Sequence, residues 1–489
     1  MFDRGRKNHC ARRARMKILH YYWVDPEDPA ARGGGVRVYL QALVTAQRER
    51  PGWQVTTLAS ALAHDLRSRP PRWRECRPGH YEIVNSASLA PSHADFATPA
   101  QVADPATESA FSDFLERTGP YDVIHFHSLE GIPAQCLSLT SGARCVLSLH
   151  NYHPFCPQVN LWHQESAHCA DFDGGKACAQ CLPVPPNPAA MRLVYRVETG
   201  LTRLGMGPGR AVYQRLWRPL MQGAWRLRKR LRGRSTVPGP RAQPVGPPIT
   251  RRSAMVGLIN AHCDTVLAVS ERTRQIALRF GLRDVTTCYI GTADAAHWMK
   301  TAPRIPPARI SPFQPLRLIY LGYMRADKGF DFLLDALHAL PPELAGCLHL
   351  TVAARRGEAQ MMVRLKTLEG HLAGLEWQDG YQRDQLDGVL LGVHFGIVPP
   401  LWEDNLPQVA LEMHARHIPL VTSDRGGAQE LGGSPALWFR AGDRQDFGRL
   451  IARLVAGEIR MDEYWTRARV PRSIAQHAQD LAQIYGSPK

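Results

Sequence analysis

Two carboxylates, Asp404 and Glu412, stand on either side of Pro407 in the segment Leu401-Trp-Glu-Asp-Asn-Leu-Pro-Gln-Val-Ala-Leu-Glu412. The apolar run 393–398 before it reads as a strand, and proline suits the first turn of a helix. The segment therefore reads as strand, loop and helix start, with Asn405 as the helix cap. The free amides of a first helical turn attract a phosphate. Glu412, about two turns into that helix, carries a carboxylate that can accept two hydroxyl hydrogen bonds, as a ribose requires. The plainer alternative is a strand–loop–helix that happens to carry surface acids.

A second set of residues could hold charge. Lys328 and Gly329 close the turn Gly322-Tyr-Met-Arg-Ala-Asp-Lys-Gly329. A lysine between strand and helix neutralises a diphosphate as a point charge; otherwise it is a solvated turn residue. Gly33-Gly34-Gly35 follows the first apolar run, and glycines let backbone amides approach a phosphate or sugar closely. His150 ends another apolar run; a lone histidine of this kind is more often structural. Cys156, Cys169, Cys178 and Cys181 form a cluster ending in Cys-x-x-Cys. Four thiols can bind zinc tetrahedrally, and His153, His163 or His168 could replace one of them. The spacing is not that of a common zinc finger, so unligated thiols and a redox pair stay open beside a structural zinc.

The elements that must position these residues alternate in type. Strand-like runs at 17–24, 123–126, 145–149 and 265–269 are interleaved with helical spacing such as Val36, Tyr39, Leu40 and Leu43. The second half repeats the plan, with strands expected at 316–321, 348–353, 393–398 and 419–422 and a helix face at Phe330, Leu333, Leu334 and Leu337. Such alternation predicts βαβ units and parallel sheets, hence an α/β protein of two Rossmann-like domains. A proline-rich stretch, 303–315, separates them. We expect a basic tail at 1–15, a first domain at 16–300, a second at 314–471, and a terminal segment at 472–489. The first domain carries the cysteine cluster 156–181 and an insert at 183–252. In that insert Tyr213, Leu216, Trp217, Leu220, Met221 and Ala224 could share a helical face flanked by arginines, and 238–248 reads as a linker.

The segment 401–430 resembles the signature of family 4 glycosyltransferases, whose fold is the two-domain GT-B type. That signature is an acid, seven residues, a glutamate, an apolar helix, a strand and a Gly-Gly turn. Here they are Asp404, Glu412, Ile418-Pro-Leu-Val-Thr422, Gly426-Gly427 and Glu430. The resemblance implies that Glu412 binds the ribose of a nucleotide-sugar donor and Asp404 the donor-sugar hydroxyls. The family usually has Glu where Asp404 stands, and Glu403 is next door. Lys328-Gly329 matches a family Lys-Gly; Tyr323 replaces an arginine, for which Arg325 is the nearest substitute. The glycine loop and His150 also match family positions, and Cys156-Pro-Gln-Val-Asn-Leu-Trp162 resembles inserts of bacterial polysaccharide glycosyltransferases. The implied catalytic residues are Lys328, Asp404 and His150. The implied donor-binding residues are Gly34, Gly35, Arg325, Asn405, Leu406 and Glu412. Family membership further implies retention at the anomeric carbon, no metal cofactor for the transfer, a glycan or lipid-linked acceptor, and a last helix, 473–485, crossing back to the first domain.

Charge is unevenly spread. Residues 192–252 hold fifteen Lys or Arg against one acid, and residues 1–15 hold six against one, within a total of +16. The rest of the chain is slightly acidic. The basicity therefore suggests an anionic partner for these segments, such as a membrane surface, and not a basic active site. No apolar run approaches the roughly 18 residues that span a bilayer, and the N-terminus lacks an apolar signal core. We expect a cytoplasmic protein, peripheral on the inner membrane face. A dehydrogenase should show Gly-x-Gly-x-x-Gly and a following acid, which Gly33-Gly34-Gly35 does not supply. A nucleic-acid-binding protein, with or without zinc, would leave Asp404, Glu412 and Lys328 unexplained, and no nucleic-acid partner is expected.

Overall fold

Strands apolar on both faces pair in parallel, because the crossover helices then cover each face. The computed structural model describes residues 15–90, 98–140, 142–164, 166–169, 173–181, 188–217, 219–220, 223, 246–307 and 309–486. The first half contains β1 (Met16–Tyr21), β2 (Trp53–Ala59), β3 (Arg72–Arg77), β4 (His80–Val84), β5 (Val123–Phe126) and β6 (Arg144–Leu149). A small hairpin, β7 (Trp162–His163) and β8 (Ala167–His168), precedes β9 (Thr265–Ala268) and β10 (Val285–Thr287). Apart from the hairpin these strands form one sheet in the order β10-β9-β6-β5-β1-β2-β4-β3. All its pairs are parallel except β3 with β4.

The second half contains β11 (Leu316–Tyr323), β12 (Leu348–Arg355), β13 (Gly374–Asp379), β14 (Phe395–Val398), β15 (Leu420–Ser423) and β16 (Trp438–Phe439). They form a fully parallel sheet, β13-β12-β11-β14-β15-β16. In each sheet the chain reverses its direction of travel beside the first strand, at β1/β5 and at β11/β14. The carboxyl ends of strands at such reversals leave a crevice, where ligands of open α/β sheets bind.

Helix faces follow the apolar periodicity. Gly34–Arg48 buries Tyr39, Leu40, Leu43, Val44 and Gln47, and Phe330–His338 buries both phenylalanines and Leu333, Leu334 and Leu337. The run expected as a strand over 17–24 pairs only as far as Tyr21. Tyr22 and Val24 stay buried but turn against the glycine loop, where a Cβ on Gly33 would sit 2.5 Å from Val24 Cγ1. The run expected over 393–398 likewise pairs only from Phe395, because Val393 is held in a turn by Leu390 O.

The terminal helix Ile474–Gly486 packs on Gly34–Arg48 and is fastened to the first domain by polar contacts. Tyr485 Oη lies 2.7 Å from His125 Nδ1, His477 Nε2 lies 2.7 Å from Tyr39 Oη, and Arg50 donates to Ala478 O at 2.8 Å. In the insert, the helix Pro188–Arg203 is tied down by Arg203–Asp65 at 2.7 Å and by Tyr195 Oη donating to Ala90 O. The expected helical face beyond it is a short π-helical turn, Tyr213–Trp217, in which Tyr213 turns inward to donate to Glu198. Leu204, Leu216 and Leu220 are exposed there. Met221, Ala224, most of the expected linker 238–248 and the tail 1–14 lie outside the described residues. No helix among the described residues is long and apolar enough to cross a membrane.

Candidate active site

The crevices of the two sheets face one another and form a single cavity. Its walls come from the glycine loop, Tyr39 and His150 on one side, and from the turns after β11 and β14 on the other. Lys328 reaches it from the turn after β11. Gly329 behind it has φ +74°, and any Cβ there would overlap Pro399 O, so only glycine lets this turn lie against the end of β14. The Lys328 ammonium is 2.5 Å from Asp404 Oδ2 and 4.9 Å from the centre of the Trp402 ring. A cation and an acid thus neutralise one another on the cavity wall.

Asp404 and its neighbour Glu403 have opposite fates. Glu403 has a side chain only 1% exposed and points away from the cavity. It accepts hydrogen bonds from Arg272 Nε at 2.8 Å and Nη2 at 2.5 Å, from the Gly426 amide at 2.9 Å, and from Arg425 at 3.3 Å. Burial pushes its pKa up, but these donors outweigh it and hold the carboxyl below its ordinary value. Asp404 is therefore the acid that meets the cavity. The Gly426-Gly427 turn seats this loop, since a Cβ on Gly426 would overlap Asp404 O and one on Gly427 would overlap Asn405 O.

Asn405 does not cap the helix Gln408–His414. The cap position is Pro407, without a side-chain hydrogen bond, and Asn405 Nδ2 instead donates across the domains to Thr273 Oγ1 at 3.2 Å. Its buried Oδ1 and the buried Trp402 Nε1 have no partner among the described residues, and both residues line the cavity. Both are polar atoms of the cavity lining that can still take a hydrogen bond. Leu406 lines the cavity too. Gly35 also lines it; a Cβ there would come 2.7 Å from Gln408 Cγ, so the glycine loop closes on the start of the facing helix.

Of the other expected residues, all but His150 lie further out. Glu412 is one turn beyond Gln408 and is not on the cavity wall; its Oε2 accepts from Tyr381 Oη at 2.8 Å, and burial raises its pKa. Gly34 has φ +56° and open space around it. Arg325 pairs with Asp327 at 2.9 and 2.7 Å and does not line the cavity. His150 does line it, with Nε2 3.1 Å from His127 Nδ1, and burial lowers its pKa to about 3. Tyr39, Trp402 and Gln408 also line the cavity, though sequence reading did not select them. Tyr39 falls at core spacing in its helix, and an aromatic beside an acid carries no motif. Glu430, which follows the Gly426-Gly427 turn, accepts hydrogen bonds from the amides of Glu271 at 2.9 Å and Arg272 at 2.7 Å and from the Tyr289 hydroxyl at 2.6 Å. A carboxylate at the N-terminus of Glu271–Arg279 suits the helix dipole.

Cys156, Cys169, Cys178 and Cys181 are all buried in one loop region. Burial pushes the Cys178 thiol up to about 11 and the Cys181 thiol up to about 12. Gln158 donates to Cys181 Sγ at 2.7 Å and Arg252 to Cys178 Sγ at 3.5 Å. Among the described residues only His20, His125 and His127 place three ligand atoms within 4.8 Å of one another. Every nitrogen of those three rings already has a hydrogen-bond partner.

Fold and cavity together define the GT-B architecture, and residues 315–457 match the family model described as glycosyl transferases group 1. Several solved structures share the whole fold. The lipopolysaccharide outer core galactosyltransferase WaaB is 13% identical, covering 96% of this chain and 98% of that one, at a TM-score of 0.53. An α,α-trehalose-phosphate synthase (UDP-forming) from Burkholderia xenovorans, in complex with glucose-6-phosphate, is 14% identical over 96% and 100%, also at 0.53. HepE from Anabaena, in complex with UDP and glucose, is 13% identical over 97% and 100%, at 0.50. No curated protein matches the chain.

The buried Glu403 network has a measurable consequence. Removing one partner of a buried ion pair leaves the other uncompensated and costs about 3 kcal/mol. Glu403→Ala should lower the unfolding free energy by about that amount in urea titrations; an unchanged midpoint would show that the Arg272 contact holds nothing together.

Proposed function

We propose that the protein is a retaining glycosyltransferase that moves a sugar from a nucleoside diphosphate sugar to a glycan or lipid-linked acceptor in polysaccharide biosynthesis. The observation that carries this reading is the Lys328–Asp404 pair on the wall of a cavity built from the carboxyl ends of both sheets. A diphosphate offers Lys328 a stronger partner than Asp404 does. Once Lys328 turns to it, Asp404 is free to accept hydroxyls of the donor sugar. The bond from the anomeric carbon to the phosphate oxygen breaks, and the acceptor oxygen bonds to that carbon on the same face. The acceptor's proton passes to the departing phosphate oxygen. Lys328, the helix start at Gln408 and the glycine loop stabilise the leaving charge electrostatically, with no metal cofactor in the step. His150 meets the sugar from the first domain. Glu412, one turn beyond the cavity wall, keeps Oε1 for a ribose that extends past the wall, while Tyr381 holds Oε2. The UDP, glucose and sugar phosphate named with the structural neighbours support this donor and acceptor chemistry.

Calorimetry against a panel of nucleotide sugars tests the reading. Glu412→Ala should weaken donor binding at least about tenfold, since a hydrogen bond to a charged group is worth about 1.5–3 kcal/mol. Lys328→Ala should lower the rate constant more than the affinity. Absence of binding by any nucleotide sugar, or unchanged affinity in a folded Glu412→Ala protein, would refute it.

Two further assignments belong to this reading. A structural zinc on Cys156, Cys169, Cys178 and Cys181 is supported by four buried thiols in one loop, whose sulfurs must draw closer to bind it. Purified protein should then contain about one zinc per chain, lost in Cys178→Ser with donor affinity retained; metal-free, fully stable protein excludes it.

An anionic membrane surface is the partner we assign to the insert, on the cytoplasmic face. Exposed Leu204, Val212, Leu216 and Leu220 stand among Arg203, Arg210 and Arg215, the composition of a segment that lies in a bilayer interface. Each Arg near an anionic leaflet contributes roughly 1 kcal/mol, screened by salt. Vesicles with phosphatidylglycerol should sediment the protein at low salt and release it at high salt. Deleting residues 205–245 should abolish sedimentation while nucleotide affinity is kept; equal sedimentation of the deletion variant rejects the assignment.

A further inference from the structure

A row of hydrogen bonds runs from the helix Gly34–Arg48, across β1 and β5, to the cavity. Gln47 Oε1 lies 2.6 Å from His20 Nε2. His20 Nδ1 lies 2.9 Å from His127 Nε2, and His127 Nδ1 lies 3.1 Å from His150 Nε2. Gln47, His20 and His127 have no exposed surface. Of the four, His150 alone reaches the cavity wall. All three rings are neutral at pH 7, because burial pushes His20 down to about 4, His150 to about 3, and His127 well below its ordinary value.

A neutral imidazole has one N–H and one lone pair. A row of such rings therefore has two proton arrangements, each the reverse of the other, and the group at the closed end selects between them. Here that group is an amide oxygen, which can only accept. His20 must hold its proton on Nε2 and accept at Nδ1. His127 then donates from Nε2 and accepts at Nδ1, and His150 donates from Nε2. The amide nitrogen of Gln47 has no hydrogen-bond partner among the described residues, and the Gln47 side chain counteracts the rise that burial imposes on the Tyr485 phenol. Tyr485 in turn lies 2.7 Å from His125 Nδ1, and His125 Nε2 lies 2.7 Å from Ser148 Oγ.

We propose that Gln47, acting through His20 and His127, fixes His150 in its Nε2–H form, so that the cavity meets a bare Nδ1 that accepts a hydrogen bond from a hydroxyl or N–H of the ligand. Gln47, His20 and His127 are positioning residues; only His150 touches what is bound. The inference rests on the proposed function for its ligand and deepens it: the sugar must present a hydrogen-bond donor at the first-domain wall, and an analogue lacking that donor binds more weakly.

Long-range ¹H–¹⁵N spectra of protein labelled with ¹⁵N-histidine report which ring nitrogen carries each proton, with His150 assigned by comparison with His150→Asn. The wild type should show His150 protonated at Nε2 and bare at Nδ1. Gln47→Leu, which removes the accepting oxygen, should give an averaged or reversed His150 pattern. Gln47→Glu, whose carboxylate can only accept once ionised, should restore the wild-type one at a pH high enough to ionise that buried group. A wild-type His150 protonated at Nδ1, or a folded Gln47→Leu protein with an unchanged His150 pattern, overturns the proposal. If Gln47→Leu does not fold, the wild-type pattern still decides, since a proton on its His150 Nδ1 contradicts the proposal. The spectra require no transfer activity, so failure here is separate from failure of the functional reading.

Discussion

The carboxylate of Glu403 is buried between two domains, and an ion in that position persists only when donors surround it. Its donors are Arg272 from the first domain and the Gly426 amide and Arg425 from the second. Arg272 sits in the first turn of Glu271–Arg279, and the amides of that same turn are taken by Glu430. Asn405 reaches Thr273, one residue further on. Three acceptors or donors from the second domain thus grip one helix end of the first. Asp404 lies between two of the gripping residues, so its orientation toward the cavity is set by the joint between the domains.

That joint explains why the cavity can hold opposite charges side by side. Lys328 and Asp404 keep side-chain exposures of 27% and 11%, enough contact with water that their pair is not a deeply buried one. Glu403, by contrast, is enclosed and fully bonded. Adjacent acids of similar chemistry are divided by burial and by their partners into one held in the joint between the domains and one that meets the cavity.

The first domain contributes a neutral polar interior. His20, His125 and His127 lie under the sheet at β1 and β5, stacked closely enough that His125 and His127 have ring centres 4.1 Å apart. Their own burial, together with the repulsion that two charged rings would feel, keeps them uncharged. The returning terminal helix completes this interior, because Tyr485 and His477 supply partners for His125 and Tyr39. A chain end some 360 residues distant from β5 in sequence therefore supports a wall residue, Tyr39, without lining the cavity itself.

How much of this was legible beforehand follows from the range of each interaction. Strand and helix identities come from apolar periodicity, which is local, and so Val123–Phe126 and the buried faces of Gly34–Arg48 and Phe330–His338 could be read directly. Chemically distinctive residues at fixed spacing were legible too: Asp404, Lys328, Gly35, Leu406 and His150 do converge on one cavity. The sequence by itself therefore determined the alternating α/β plan and the chemical types at the cleft. Which of two neighbouring acids faces the cavity, whether Asn405 caps its own helix or bridges to Thr273, and whether His20 and His127 stand in line behind His150 depend on groups tens to hundreds of residues apart. Only the tertiary structure decided these, because burial and hydrogen-bond partners are properties of what surrounds a side chain and not of its neighbours along the chain.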